Sequence, residues 1–383
     1  MLKKLLLLSL LSYSLLADFD YAVENSNFTI SQGSIDPQSN ETYLYNYNRL
    51  RFRGDYSDEN YFATIIADGV NYLGEDYISS NDFNYVKLIK SDTPFKTQTS
   101  FHDYDKGSVY AKLYRLYAGY EDTENRVVAG LQNISMGVGR IWTPTNLFNP
   151  KNIYALEPDE TFGVAAISYT RHISDTSHLM VIASQKKDDS FKYAARYKAF
   201  FDFTDIAIDV VSSDKTKMFG LELEANLADT GVEVRSEIAY IKSDIRTSIN
   251  TTDNLEFTQM ILGADYGFEN GVTVIAEALY SSEDFTYDEI LLNYNAEIVP
   301  NLVYSKFYTA LSLSYSFNIF LDGSLIYIES FNDKNSRFVS PTLTYTLNDY
   351  NSFMLGAMTQ NGDSGSEFGE FENTYYFKWA LSF

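Results

Sequence analysis

The chain has 383 residues, with 32 Tyr, 27 Phe, 7 Pro, no Cys and a formal net charge of −23. The absence of Cys excludes disulfide stapling, iron–sulfur clusters and thiol nucleophiles, and the acidic balance excludes binding along a nucleic-acid backbone, which needs a basic surface. Such aromatic richness with scattered charge is odd for a soluble enzyme. It suits strands that show one face to lipid and the other to water, with aromatics gathered at both interfaces.

The first residues, MLKKLLLLSLLSYSLLA, place Lys3 and Lys4 ahead of an apolar run from Leu5 to Leu16 that ends at Ala17. This is the pattern of a secretory signal, with cleavage expected after Ala17, although Leu15 rather than Ala stands two residues before it. Loss of the two lysines would take the net charge from −23 to −25. The run is shorter than the ~20 residues a spanning helix needs, which disfavours the alternative of an uncleaved anchor, and no later segment approaches ~18 apolar residues.

From residue 18 to 383 no linker interrupts the chain, so one barrel domain is expected. Short polar turns are predicted near 55–60, 121–125, 174–177, 202–205, 229–231, 269–271, Asn318 and 348–351. Longer polar stretches fall near 33–42, 71–108, 135–160, 187–190, 213–215, 244–255, 284–302, 331–335 and 362–372. With turns on the periplasmic side and loops outside, the pattern predicts an all-β, closed antiparallel transmembrane barrel of eighteen strands. The first strand, 19–31, is the weakest; without it the count is seventeen, and sixteen remains open if another run is a loop. No soluble-type core is required, because each strand uses both faces.

Alternation assigns the faces, since a charge in lipid near the midplane costs roughly 2 to 4 kcal/mol. Arg49, Arg51, Arg53 and Asp55 oppose Leu44, Leu50, Phe52 and Tyr56. Lys192, Arg196 and Lys198 oppose Phe191, Tyr193, Tyr197 and Phe201, while Glu222, Glu224, Glu233, Arg235 and Glu237 oppose Leu221, Leu223, Val234 and Ile238. Basic groups therefore gather on one wall and acidic groups partway round, which would either set a field across the pore or simply solvate a wide lumen.

The last element is the clearest. Tyr375, Phe377, Trp379, Leu381 and Phe383 alternate with Tyr376, Lys378, Ala380 and Ser382, about the length a tilted strand needs to cross a bilayer. It resembles the final strand of bacterial outer-membrane barrels, which commonly ends in Phe. That resemblance implies recognition by the barrel-assembly machinery.

The stretch GLQNISMGVGRIWTPTNLFNPKNIYALEPDE holds one of the two Trp, three of the seven Pro, and the acids Glu157, Asp159 and Glu160. Its part SMGVGRIWTPTNLFNP resembles a segment of little-characterised porin-type outer-membrane barrels. By resemblance to general porins, whose third loop narrows the lumen, these acids would face a basic wall of Arg49, Arg51, Arg53, Lys192 and Arg196. Arg126 and Lys198 complete the expected pore lining. The alternative is an ordered external loop with Trp and Pro packed on the rim.

The three His, at 102, 172 and 178, have no partner at a metal-ligand or triad spacing, and GVGR lacks the G-x-x-x-x-G-K-[ST] pattern of a phosphate cradle. No enzyme activity, metal or cofactor is expected. The reading is an integral outer-membrane channel passing small hydrophilic solutes or ions. Its rivals are a substrate-specific channel, kept open by the Tyr43, Tyr45 and Tyr47 ladder, and a barrel-anchored adhesive protein using residues 71–108. Lipid and small solutes are the expected partners, with a homotrimer implied by resemblance and nucleic acid excluded.

Overall fold

The computed structural model describes residues 18–36, 39–332, 334–369 and 371–383. The expected signal segment, 1–17, lies outside the described residues. The chain begins with β1 (Asp18–Gly33), β2 (Thr42–Asp58) and β3 (Tyr61–Leu73), then a short β4 (His102–Tyr104). Next come β5 (Gly107–Glu121), β6 (Asn125–Gln132), β7 (Val164–Ser174), β8 (Ser177–Gln185), β9 (Phe191–Phe201), β10 (Thr204–Ser212) and β11 (Thr216–Asn226). The remainder are β12 (Glu233–Ser248), β13 (Thr251–Gly267), β14 (Val272–Ser281), β15 (Phe307–Asn318), β16 (Leu321–Phe331), β17 (Ser336–Asn348), β18 (Asn351–Gly362) and β19 (Thr374–Ser382).

All but β4 form one antiparallel ring of eighteen strands, each bonded to its sequence neighbour. β1 closes it, pairing with β2 over its whole length and with β19 from Glu24 to Gln32. The first strand is thus longer than the expected 19–31. Closure leaves no open sheet edge, the condition for a β-structure to stand in lipid. Connections at one end are short, with Asp202 at φ 56° and Gly271 at φ 88° supplying the left-handed residues tight hairpins need. The other end carries nine connections, here L1 to L9 in chain order, among them L2 (74–106), L7 (282–306) and L9 (363–373).

The outward face is greasy: Leu44, Leu50, Phe52, Ile167, Leu262 and Leu355 are exposed. Tyr21, Tyr56, Tyr61, Phe203, Phe268, Phe317, Tyr350 and Phe383 gather at the turn end as a girdle. Outward polar groups near mid-depth satisfy each other, with Asn25 bonded to Asn48 at 3.2 Å and Asn27 to Asn46 at 3.2 Å.

Two expectations are corrected. Residues 244–255 are not a loop: β12 and β13 stay paired through Asp244, Ile245 and Arg246, and only 249–250 connect them. The hairpin rises past the rim, where both faces meet water apart from buried Ile245, so its composition imitates a loop. The interior is also not free of a core. Its loop-side half is filled by apolar side chains, where Phe28, Ile30, Tyr43, Tyr45, Leu279, Tyr308 and Phe338 pack with Tyr77, Phe83, Ile141 and Ile153 of the loops. L2 contributes α1 (Glu75–Ile78) and α2 (Asn81–Leu88) to this packing, and Tyr77 stacks on Tyr45 at 3.7 Å.

The closing register sets Ser26 opposite Ala380, both facing inward. In this Cys-free chain the double variant S26C/A380C is expected to oxidise to an intrachain disulfide, while S26C with L381C, whose side chain faces lipid, is not. Mass spectrometry after mild oxidation checks this, and the opposite preference would show a register shifted by one residue.

Candidate functional site

L3, residues 133–163, contains no helix or strand. Its first third runs along the acidic wall. Gly137 N donates to Glu222 Oε1 at 2.8 Å, and Val138 N and Gly139 N donate to Glu237 Oε1 at 2.5 and 2.6 Å. Arg140 N donates to Glu277 Oε2 at 3.0 Å, while Ile141 N and Trp142 N donate to its Oε1 at 3.2 and 2.7 Å. Thr145 adds its N and hydroxyl to Glu237 Oε2 at 3.2 and 2.9 Å. Backbone amides pointing together form a concave anion site.

The glycines are required by this close approach. Gly137 has φ +91°, and a Cβ there would stand 2.7 Å from Glu237 Oε1; one on Gly139 would strike the carbonyl oxygen of Trp142. The GVGR run is therefore an anion cradle after all, although its anions are the protein's own carboxylates. Beyond it, Leu147 and Phe148 bury against Ala194, Val211, Met218 and Ile241.

The last third of L3 meets the opposite wall. Glu157 accepts from Arg49 Nη1 at 2.8 Å and from Lys378 Nζ at 2.9 Å. Glu160 accepts from Arg51 Nη1 and Nη2 at 2.8 and 2.9 Å, and Arg51 is also held by Asp68 at 2.7 Å. Arg51 lies 4.1 Å over the Tyr114 ring, and Arg115 Nη2 donates to Thr161 O at 3.0 Å. Burial would raise the Glu160 carboxyl, but the Arg51 hydrogen bonds and the Arg49 and Arg51 charges outweigh it and hold the group at about 2. It stays ionised at any physiological pH. β2 and β12 stand nine strand steps apart in the ring of eighteen, so L3 is tied to diametrically opposed walls.

The expected site residues separate into three places. Arg49 and Arg51 meet Glu157 and Glu160, whereas Asp159 turns away, 80% exposed, to pair with Lys151 at 2.9 Å. Lys192 and Arg196 do not face the loop acids. Lys192 Nζ donates to Leu147 O at 2.6 Å under L3, and Arg196 pairs with Glu222 at 2.6 Å and Asp209 at 3.2 Å on the acidic side. Arg53 with Asp55, Arg126 with Glu121 and Lys198 near Asp205 lie towards the turn end. The Tyr43 and Tyr45 rings are buried under α1 and do not line an open track.

Several contributors were not singled out from sequence: Glu277, Lys378, Asp68 and Arg140, the last reaching Glu233 at 2.6 Å and Asp265 at 3.3 Å. Glu277 could have been found, since it is the one charge at an inward position in VTVIAEALYS. Among the described residues no group of three or more His, Asp or Glu is placed to hold a metal.

No protein-family profile matches the chain, and no curated protein matches it either. Solved structures do share its fold. The BenF-like porin from Pseudomonas fluorescens Pf-5 has a TM-score of 0.59 at 12% identity over 96% of this chain and 98% of that one. Acinetobacter baumannii OccAB2 gives 0.60 at 11% identity, again over 96% and 98%. Pseudomonas aeruginosa OpdK, solved with vanillate, gives 0.57 at 10% identity over 96% and 98%. The chain thus has the closed eighteen-strand barrel of the porin type.

Charge-assisted hydrogen bonds are worth roughly 1.5 to 3 kcal/mol each, and Glu237 receives several. E237A is expected to speed amide exchange in the peptide 136–146 at least ~tenfold, the equivalent of about 1.4 kcal/mol. Unchanged protection by hydrogen-exchange mass spectrometry would mean that apolar packing alone holds this part of L3.

Proposed function

We propose that this protein is a passive outer-membrane channel for small hydrophilic solutes or ions, with L3 as its constriction. The observation that carries the reading is the attachment of L3 to opposite walls of a closed barrel. The turn-side half of the lumen supports it, because its charges remain wet: the side chains of Arg53, Arg140 and Glu233 are 51%, 42% and 31% exposed. Charged groups in contact with water inside a lipid-facing ring imply a water-filled chamber. The porins that share the fold agree with a channel role, and the girdled exterior agrees with an integral place in the outer membrane. The 1–17 segment fits export, and β19 with the Phe383 that follows it fits delivery to the barrel-assembly machinery.

A substrate-selective channel is the second reading, favoured by the filled outer half of the interior. L2, L3, L7 and L9 all pack there, which leaves less room than an unobstructed diffusion pore has. In either case no chemical step is required of the protein.

The test is conductance of the refolded chain in a planar bilayer, with reversal potentials in a salt gradient. The wild type is expected to give steady openings. E157Q/E160Q leaves Arg49, Arg51 and Lys378 without their loop anions and is expected to move the reversal potential towards anion preference. A correctly folded barrel that is electrically silent would contradict the proposal and favour a surface anchor.

A further inference from the structure

On the loop side of Glu277, between L3, L7 and L9, lies a cavity of about 630 Å³. That is within the size range of small-molecule sites. L7 builds one side with α3 (Tyr287–Leu292), whose Thr286 and Glu289 form a capping box, and fixes itself to L3 through Asn301 Nδ2, which donates to Pro144 O at 2.9 Å. The walls are mostly apolar, with aromatic faces from Trp142, Tyr154, Tyr308 and Phe371. Trp142 and Tyr308 have ring centroids 5.8 Å apart.

Among the described residues that line this cavity, two are charged, Lys151 and Glu367. Lys151 is committed to Asp159. Glu367 is different: one carboxylate oxygen is wholly buried with no hydrogen bond of good geometry, and the polar groups beside the carboxyl are the Ser330 and Tyr308 hydroxyls. A buried carboxylate answered only by hydroxyls is costly to ionise unless a further donor or a cation reaches it, and aromatic faces attract cations further. A carboxylate-bearing solute would meet repulsion at the same place.

We propose that the cavity between L3, L7 and L9 is a binding site for small solutes with an aromatic or aliphatic body and a protonated amine head, received by Glu367 beside Tyr308. Its role as a capture site before the constriction rests on the channel reading; the binding itself does not. Burial pushes the Glu367 carboxyl up to about 7, against the pull of the Ser330 and Tyr308 hydroxyls. The titratable groups facing it are the phenols Tyr154 of L3 and Tyr308 of β15, which stay neutral at ordinary pH. Lys151 reaches the same cavity from L3 but is held by Asp159. An ammonium group stabilises the ionised carboxylate, so affinity rises with pH through about 7 and levels off above it.

The test uses the full refolded chain in detergent with W379F, which leaves Trp142 as the only indole. Phenethylamine is expected to change Trp142 emission saturably, roughly tenfold tighter at pH 8.5 than at pH 5.5, and at least ~tenfold tighter than phenylacetate at pH 8.5. E367Q, shown folded by its heat-modifiable migration, should lose both the amine preference and the pH dependence. If E367Q does not fold, Y308F replaces it and should weaken the amine and move the midpoint of the pH dependence upward, because the Tyr308 hydroxyl no longer pulls the Glu367 carboxyl down; an unmoved midpoint overturns the proposal. Equal or tighter binding of phenylacetate, or an unaltered E367Q, overturns the proposal. Because the readout is optical, a silent barrel that binds the amine refutes only the channel reading, and a conducting barrel that does not bind refutes only this site.

Discussion

The architecture of the interior depends on three carboxylates that must not be left alone. Glu222, Glu237 and Glu277 project from β11, β12 and β14 into the barrel, each almost wholly buried. A buried carboxylate without partners would be prohibitively expensive. L3 resolves this by presenting six successive backbone amides, from Gly137 to Trp142, as donors. Neutral amides answer Glu237 and Glu277, whereas Glu222 takes one amide and is held chiefly by Arg196 at 2.6 Å, and the amides can come this close only because Gly137 and Gly139 carry no side chain. Wall charge and loop sequence are therefore mutually required.

Once its first third is fixed, the rest of L3 has only a limited reach, and it ends against Arg49, Arg51 and Lys378. The side chains of these pairs are mostly buried, so the pairs are screened less than surface ones. The strap divides the interior. On its loop side, apolar side chains of strands and loops form a core like that of a soluble domain; on its turn side, charges remain in water. The two halves use the same inward-facing strand positions, and their character changes with height rather than with strand.

Period-two alternation made most of the barrel legible in the sequence. The face assignment of Arg49, Arg51, Glu222 and Glu237 and the final strand follow from it, while polar turn residues marked 202–205 and 348–351, within which the observed turns 202–203 and 349–350 fall. What alternation does not distinguish is apolar side chains facing lipid from apolar side chains facing an internal core: Tyr43 and Tyr45 read as a pore track but are covered by L2. The hairpin at 244–255 misled for the converse reason, being polar on both faces because it stands clear of the membrane. At the site, the opposition of Glu157 and Glu160 to Arg49 and Arg51 had been expected only from the resemblance to general porins, and Asp159, expected with them, pairs instead with Lys151. Lys192 and Arg196 were assigned to the wrong opposition, since strand parity gives a face but not the height or the partner. The amide cradle carries no side-chain signal beyond the spacing of its two glycines.

The central claim is that L3 spans the lumen and limits passage. Its most direct test replaces residues 136–160 with a short Gly-Ser linker and compares single-channel conductance with that of the intact chain, after confirming by circular dichroism and heat-modifiable migration that the barrel forms. Removal of the strap should raise the conductance several-fold and abolish dependence on Glu157 and Glu160. A folded barrel with unaltered conductance would place the limiting constriction elsewhere and contradict the account.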